Sequence, residues 1–130
     1  MKENLQRWYD FFENHDTKAL SDMLADDVVF HSPVVHTPQA GKALTFMYLS
    51  AAGNVLGNGG FRYVSEYFSE NGAVIEFNTE IDGISIDGID MITWNADNKI
   101  SEFKVMLRPL KAVHKVHEMM AAMLDANTKK

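Results

Sequence analysis

Two β-type runs joined by a polar turn, between Ile84 and Leu107, constrain the fold of this chain more than any other segment. The turn, at 95–98, reads Asn-Ala-Asp-Asn, residue types that favour a tight reversal between strands. Side chains alternate along a strand, so one face of the first run carries Ile86, Gly88, Asp90, Ile92 and Trp94. A carboxylate on so apolar a face is costly unless it is paired, hydrated or protonated. Asp90 therefore needs a polar partner or a function.

Composition sets the size and class of the protein. The chain has 130 residues, enough for a single domain over 1–130 with a hydrophobic core and too few for two. Hydrophobic residues make up 46%, which is typical of a globular protein. No apolar run is long enough to span a membrane, and the first residues lack a signal-peptide core, so we expect a cytoplasmic protein.

Charge and cysteine content exclude several kinds of function. The formal net charge of −6 repels phosphate backbones and argues against a nucleic-acid partner. The lysines near the C-terminus are interpreted as a solvated helix face and tail. The chain has no cysteine, which excludes disulfides, thiol catalysis and thiolate metal sites.

Hydrophobic spacing predicts the first half of the chain. Leu5, Trp8, Tyr9 and Phe12 mark an amphipathic helix that ends near 14–16. A second, short helix capped by Asp16 or Thr17 should end at 26–27. A strand at 28–31, a loop at 34–40 and a third helix that opens at Gly41 follow.

The second half is predicted to be mainly strands. We expect strands at 61–68, 73–81, 85–95 and 100–108, forming an antiparallel meander, and a last helix that begins at Pro109. Helices that are segregated from an antiparallel sheet indicate the α+β class.

Three segments carry a resemblance to a known family. They are Leu-Ala-Asp-Asp-Val-Val-Phe at 24–30, Gly41 at the start of the third helix, and Gly-Ile-Asp-Met-Ile-Thr-Trp at 88–94. With this element order, the chain resembles the nuclear-transport-factor-2-like superfamily, which includes SnoaL-like polyketide cyclases and ketosteroid isomerase. The resemblance covers about residues 7–107. It implies a cone-shaped, curved antiparallel sheet wrapped by three helices of the N-terminal half plus a C-terminal helix, with a hollow that often holds a small apolar ligand.

The resemblance also implies roles for single positions. The oxyanion-holding carboxylic acid of ketosteroid isomerase falls on Asp90. Its general-base aspartate falls on Ser32 and its oxyanion tyrosine on Trp8, so two of the three positions have changed and isomerase activity does not follow from them. Of the Asp-Arg-Asp arrangement in limonene epoxide hydrolase, only one member can be placed.

The residues that the resemblance places toward the interior are mainly apolar, and the polar ones among them are Ser32, Thr79 and Asp90. Such a lining suits a small organic ligand. The expected ligand-binding residues are Trp8, Phe12, Phe30, Ser32, Tyr48, Leu49, Ile75, Phe77, Thr79, Phe103 and Leu107.

Asp90 and His36 are the candidate catalytic residues. Asp90 can be an acid with a raised pKa, or a structural carboxylate that accepts from Trp8 Nε1 or from the backbone. His36 lies in the loop expected to rim the cavity and could form an acid–base pair with Asp90, or it could be an ordinary loop histidine. His31 alternates with Phe30 and Ser32 along its strand, so its side chain is expected to point away from the cavity. His114 and His117 stand three apart on the last helix without an evident third ligand, so neither a metal nor another cofactor is expected.

Two classes of function remain open from the sequence, and with them the question of whether the protein is an enzyme. The first is binding of a small apolar or amphipathic molecule in an interior cavity, with cofactor-free acid–base catalysis of the isomerase, cyclase, dehydratase or epoxide hydrolase type as an option. The alternative is a non-catalytic ligand-binding or dimeric assembly module whose cavity is filled, and a regulatory partner protein is a third reading. The resemblance implies a homodimer through a polar sheet face that carries Glu66, Glu76, Asn78 and Glu80.

Overall fold

The computed structural model describes residues 2–57 and 60–128, with side chains described as far as residue 124. Ten elements follow one another in this part of the chain. They are α1 (Lys2–Asn14), α2 (Thr17–Met23), β1 (Leu24–His31), β2 (Gln39–Ala40), α3 (Lys42–Leu56), β3 (Arg62–Phe68), β4 (Gly72–Ile81), β5 (Ile84–Trp94), β6 (Ile100–Arg108) and α4 (Leu110–Thr128). Within these residues, no helix is both long and apolar enough to cross a bilayer.

The six strands form one curved, unclosed sheet in the order β2-β1-β6-β5-β4-β3. The α+β class is thereby confirmed. All neighbouring pairs are antiparallel except β1 with β6, which run parallel, so the sheet is mixed rather than wholly antiparallel. The last strand of the meander, β6, lies beside β1 and runs in the same direction, which gives the one parallel pair of the sheet.

Short-range chemistry explains several of the boundaries. Asp16 is the N-cap of α2, and its side chain accepts hydrogen bonds from the backbone N–H groups of Lys18 and Ala19. The β4–β5 turn places Asp82 and Gly83 at φ of 52° and 79°, the left-handed values that a two-residue hairpin requires.

Two expectations for the region around β1 are wrong. The second helix ends at Met23 rather than at 26–27, because Leu24 is already extended and pairs with Ile100 of β6. Part of the expected loop at 34–40 is the strand β2, which pairs with Val29 and Phe30. A strand of two residues is too short to show any periodicity.

A bulge in β3 changes which of its residues face the interior. Tyr63 lies opposite Phe77, but the register then shifts, so that Glu66 lies opposite Ile75. The expected outward position of Glu66 is therefore wrong, and Tyr9 Oη donates a hydrogen bond to its Oε2 at 2.6 Å. An extra residue in a strand exchanges the two faces beyond it.

The core lies between the inner face of the sheet and the helices. One buried cluster joins α1 and α2 to β1 and the middle of the sheet, and includes Trp8, Phe30 and Phe103. A second joins α3 and α4 to β4 and β5, around Phe77 and Val116. The candidate site lies where the two clusters meet.

Candidate functional site

A cavity of about 40 Å³ lies between the inner face of the sheet and the helices α1, α3 and α4. Its walls are almost wholly apolar or aromatic. This volume accommodates a few water molecules, and a larger guest requires the aromatic walls to part.

The structure brings nine of the residues singled out from the sequence together around this cavity. They are Trp8, Phe12, Phe30, Ser32, Leu49, Phe77, Asp90, Phe103 and Leu107. The cavity is also lined by Tyr63, Phe61 and Met120, which are not among the ligand-binding residues expected from the sequence.

Four other candidates do not line it. Ile75 and Thr79 are buried in β4 but do not line the cavity, and the ring of Tyr48 packs against Phe30 at 5.6 Å between centroids. His36 is exposed in the loop between β1 and β2.

Asp90 is the acidic residue of the cavity wall and stands in the middle of β5. Its neighbours across the sheet are Ile75 on β4 and Val105 on β6. The residue is only 6% exposed. Its apolar surroundings follow from the alternation along β5, in which every second residue from Ile86 to Trp94 is buried.

A chain of two hydrogen bonds connects Trp8 to this carboxyl group. Trp8 Nε1 donates to Tyr63 Oη at 2.9 Å, and the Tyr63 hydroxyl donates to Asp90 Oδ2 at 2.9 Å. Trp8 thus reaches Asp90 through a phenol rather than directly. In the described part of the chain, no donor is bonded to Asp90 Oδ1, which leaves this oxygen for a guest in the cavity.

Aromatic packing holds Tyr63 in position. Its ring lies 5.0 Å from Phe61, 5.1 Å from Tyr9 and 5.7 Å from Phe12, between centroids. The only signal for Tyr63 in the sequence was a hydroxyl-bearing aromatic in the first strand of the meander. Its inward position depends on the register of β3, which alternation alone does not reveal.

Burial controls the protonation of the site. It raises the pKa of Asp90 to about 7, and the hydrogen bond from Tyr63 opposes this rise. Burial and the charge of Asp90 hold the pKa of Tyr63 well above its ordinary value, so the phenol keeps its proton. Near neutral pH the carboxyl group can therefore both accept and release a proton, as a general acid–base catalyst must.

The histidines lie elsewhere. His31 points to the outer face, as its parity predicted, and its Nε2 lies 2.7 Å from Glu102 Oε2. His114 and His117 are exposed on α4. Among the described residues, no group of three histidine, aspartate or glutamate side chains could hold a metal ion.

Comparison with known proteins agrees with this architecture. The model of the SnoaL-like domain family matches residues 5–103. A steroid delta-isomerase from Pseudomonas aeruginosa has 29% identity and a TM-score of 0.93, with 99% of this chain and 94% of that chain covered. For an uncharacterized protein with a cystatin-like fold from Silicibacter pomeroyi, the identity is 25% and the TM-score 0.88, over 97% and 88% of the two chains.

An NTF2-like protein of unknown function from Mesorhizobium loti shares the fold at 23% identity, with a TM-score of 0.71 over 83% of this chain and 90% of that chain. No curated protein matches the sequence.

Proposed function

The chain belongs to the SnoaL-like domain family, and from this premise we propose that it is a cofactor-free proton-transfer enzyme of the isomerase or cyclase type. Its substrate is a small, mainly apolar carbonyl compound that enters the cavity beside Asp90. The observation that carries the proposal is the chain from Trp8 through Tyr63 to Asp90, at the wall of an apolar cavity. The similarity to a protein described as a steroid delta-isomerase supports the same class of reaction.

In the proposed mechanism Asp90 is the base. Its ionised Oδ1 removes a proton from the carbon next to the carbonyl group, and the electron pair of the C–H bond forms an enolate. In an isomerisation the same carboxylic acid returns the proton to the γ-carbon. In a cyclisation the enolate carbon attacks a second carbonyl group, and the carboxylic acid of Asp90 returns the proton to the alkoxide that forms. Tyr63 holds the carboxyl group through Oδ2 and leaves Oδ1 to exchange the proton.

Ser32 is the proposed hydrogen-bond donor to the carbonyl oxygen. It lines the cavity, and its Oγ accepts a hydrogen bond from the backbone N–H of Val34 at 3.2 Å. The hydroxyl hydrogen is left to donate to a substrate oxygen as negative charge develops there. In ketosteroid isomerase the position of Asp90 holds the oxyanion and the position of Ser32 holds the general base. In this chain the two roles would be exchanged.

The test uses a cyclic β,γ-unsaturated ketone with a single six-membered ring, a size chosen for the small cavity. Conversion to the conjugated ketone is followed by absorbance, and deuterium uptake from D₂O by NMR. Removing a general base costs on the order of 10²–10⁴ in rate, so Asp90→Asn should slow both reactions at least about hundredfold.

Asp87→Asn is the matched control for this experiment. Asp87 lies on the outer face of the same strand, where it pairs with Arg108 Nη1 at 2.8 Å, and its replacement should leave both rates unchanged. Equal rates for the Asp90→Asn variant and the unmodified protein would remove Asp90 from the mechanism.

The small cavity favours one alternative, an assembly module whose interior is closed by its own aromatic side chains. Phe12, Phe77 and Phe103 line a space of only about 40 Å³. In that case neither the ketone nor its conjugated isomer would shift the NMR signals of cavity residues, and no deuterium would be incorporated.

A further inference from the structure

A second depression, of about 390 Å³, lies on the surface where β1 ends and β6 continues beyond it. We call it the rim groove; its ionisable residues are His31, His36 and Lys104. Four of its lining residues, among them Ser32 and Leu107, also line the interior cavity. The rim groove and the cavity beside Asp90 therefore share part of their lining.

The charge of the rim groove contrasts with that of the whole chain. The net charge of the protein is −6, but all ionisable residues that line the rim groove are of the basic types. Glu102 lies two residues before Lys104 on the same strand, but its Oε2 is already paired with Nε2 of His31 at 2.7 Å. Lys104 itself is half-buried, and among the described residues it has no ion-pair or hydrogen-bond partner.

An ammonium group without a counterion, in the same groove as an exposed imidazole, is suited to an anion. Apart from Ser32 the other residues of the groove are apolar, and the cavity that shares them is almost wholly apolar, so the anion is best matched by the end of a longer, mainly apolar molecule. A carboxylate is the smallest anionic group that meets both conditions.

We propose that the substrate is an amphipathic carboxylate. Its carboxylate binds Lys104 and His36 in the rim groove, and its carbonyl-bearing apolar part passes between Ser32 and Leu107 to Asp90. This inference rests on the proposed function and adds the substrate class to it. It also gives His36 a part in binding, outside the cavity, rather than in proton transfer.

The test compares medium-chain keto carboxylic acids with their methyl esters, which have the same skeleton without the charge. Binding is measured by calorimetry, and proton transfer by deuterium uptake next to the ketone. An exposed ion pair contributes on the order of 1 kcal/mol or less, so the acid should bind about threefold to fivefold more tightly than the ester. High salt should reduce this preference, because salt screens exposed charges.

Lys104→Gln should abolish the preference for the acid and leave the affinity for the ester unchanged. Lys111→Gln is the matched control, because Lys111 is exposed on α4 and should leave the preference intact. His36→Gln should weaken the binding of the acid and not that of the ester.

The possible failures are distinguishable. If the ester binds and exchanges but the acid binds no more tightly, or if the preference persists in Lys104→Gln, the amphipathic carboxylate is excluded and the proposed function stands. If acetate alone shifts the NMR signals around Lys104 but the keto acid shows no advantage, the rim groove is only an anion site unconnected to the cavity. If neither acid nor ester binds or exchanges, both proposals fail.

Discussion

At the scale of single residues, the protonation of Asp90 links the site to the stability of the fold. The carboxyl group has a pKa of about 7 in the folded protein, against 3.8 for the ordinary group. Between these values the folded chain keeps a proton that the unfolded chain releases, so stability falls as pH rises. The contribution of protonated Asp90 to the free energy of unfolding is complete below about pH 4 and is lost as the pH rises to about 7. Because the pKa differs by about three units between the folded and unfolded chain, this contribution is about 4 kcal/mol.

Asp90→Asn is neutral at every pH, and its amide oxygen can still accept from Tyr63. We therefore expect the free energy of unfolding of the unmodified protein, relative to this variant, to fall by about 4 kcal/mol from about pH 4 to about pH 8. Urea unfolding of both proteins across this range measures the difference. A constant difference would mean that Asp90 is ionised in the folded protein throughout.

Tyr63 offers a second prediction at this scale. Its hydroxyl lowers the pKa of Asp90 and accepts the Trp8 indole N–H, so Tyr63→Phe removes both effects. The pKa of Asp90 should rise above about 7, and stability should fall by about 1–3 kcal/mol because the indole loses its buried acceptor. Carbon NMR titration of labelled aspartate, assigned with Asp90→Asn, follows the pKa.

Tyr67→Phe is the control for that titration. Tyr67 lies on the same strand and is 64% exposed, so its hydroxyl has no connection to the cavity. An unchanged Asp90 titration in Tyr63→Phe would show that the hydrogen bond from the phenol does not tune the carboxyl group.

At the scale of elements, β5 keeps the cavity open by means of a glycine. A methyl group at Gly88 would lie 2.4 Å from Cζ of Phe77 and 2.8 Å from Cδ2 of Leu107. Both side chains line the cavity, and both would have to move. Gly88→Ala should therefore destabilise the protein by about 1–3 kcal/mol and weaken ketone binding.

At Gly53 in α3, the same replacement by alanine is expected to change the stability of the protein in the opposite direction. It also lines the cavity, but a methyl group there meets no atom within 4 Å. Alanine is the better helix former, so Gly53→Ala should stabilise the protein by about 0.5–1 kcal/mol. Thermal unfolding of the two variants checks both signs, and a destabilised Gly53→Ala would contradict the open space beside it.

Sequence reasoning was most successful for elements with a clear period. The stripe of Leu5 and Trp8 predicted α1, alternation placed Asp90 inside, and the strand expected at 100–108 is β6 to the residue. It failed for β2, which is too short to have a period, and for the face of Glu66, because a bulge exchanges the two faces without any change in composition.

At the scale of the whole molecule, the cavity depends on elements that are distant in sequence. Trp8 comes from α1, Tyr63 from β3 and Asp90 from β5, and 55 residues separate the first two. Residue types could identify Asp90 as a buried acid, but not the phenol bonded to it, because that contact depends on how α1 crosses the sheet. For the same reason His36 could be placed in a loop but not relative to the cavity.

The outer face of the sheet provides the last prediction, the homodimer. The expected interface was polar, yet Tyr67, Val74 and Met91 form an apolar row across β3, β4 and β5. Tyr67 is 64% exposed, and Val74 and Met91 are half-buried. Since burial of apolar surface is the main driving force for association, we expect two copies of the chain to bury the row against each other.

Met91→Glu puts a charge at the β5 end of that row and should convert the dimer to a monomer, as measured by sedimentation equilibrium. Leu110→Glu is the control: Leu110 is 70% exposed but lies at the start of α4, away from the sheet face. The thermal midpoint of the unmodified protein should also rise with protein concentration, because association stabilises the folded state, and that of Met91→Glu should not. A monomeric unmodified chain, or a Met91→Glu variant that stays dimeric, would exclude this face as the interface.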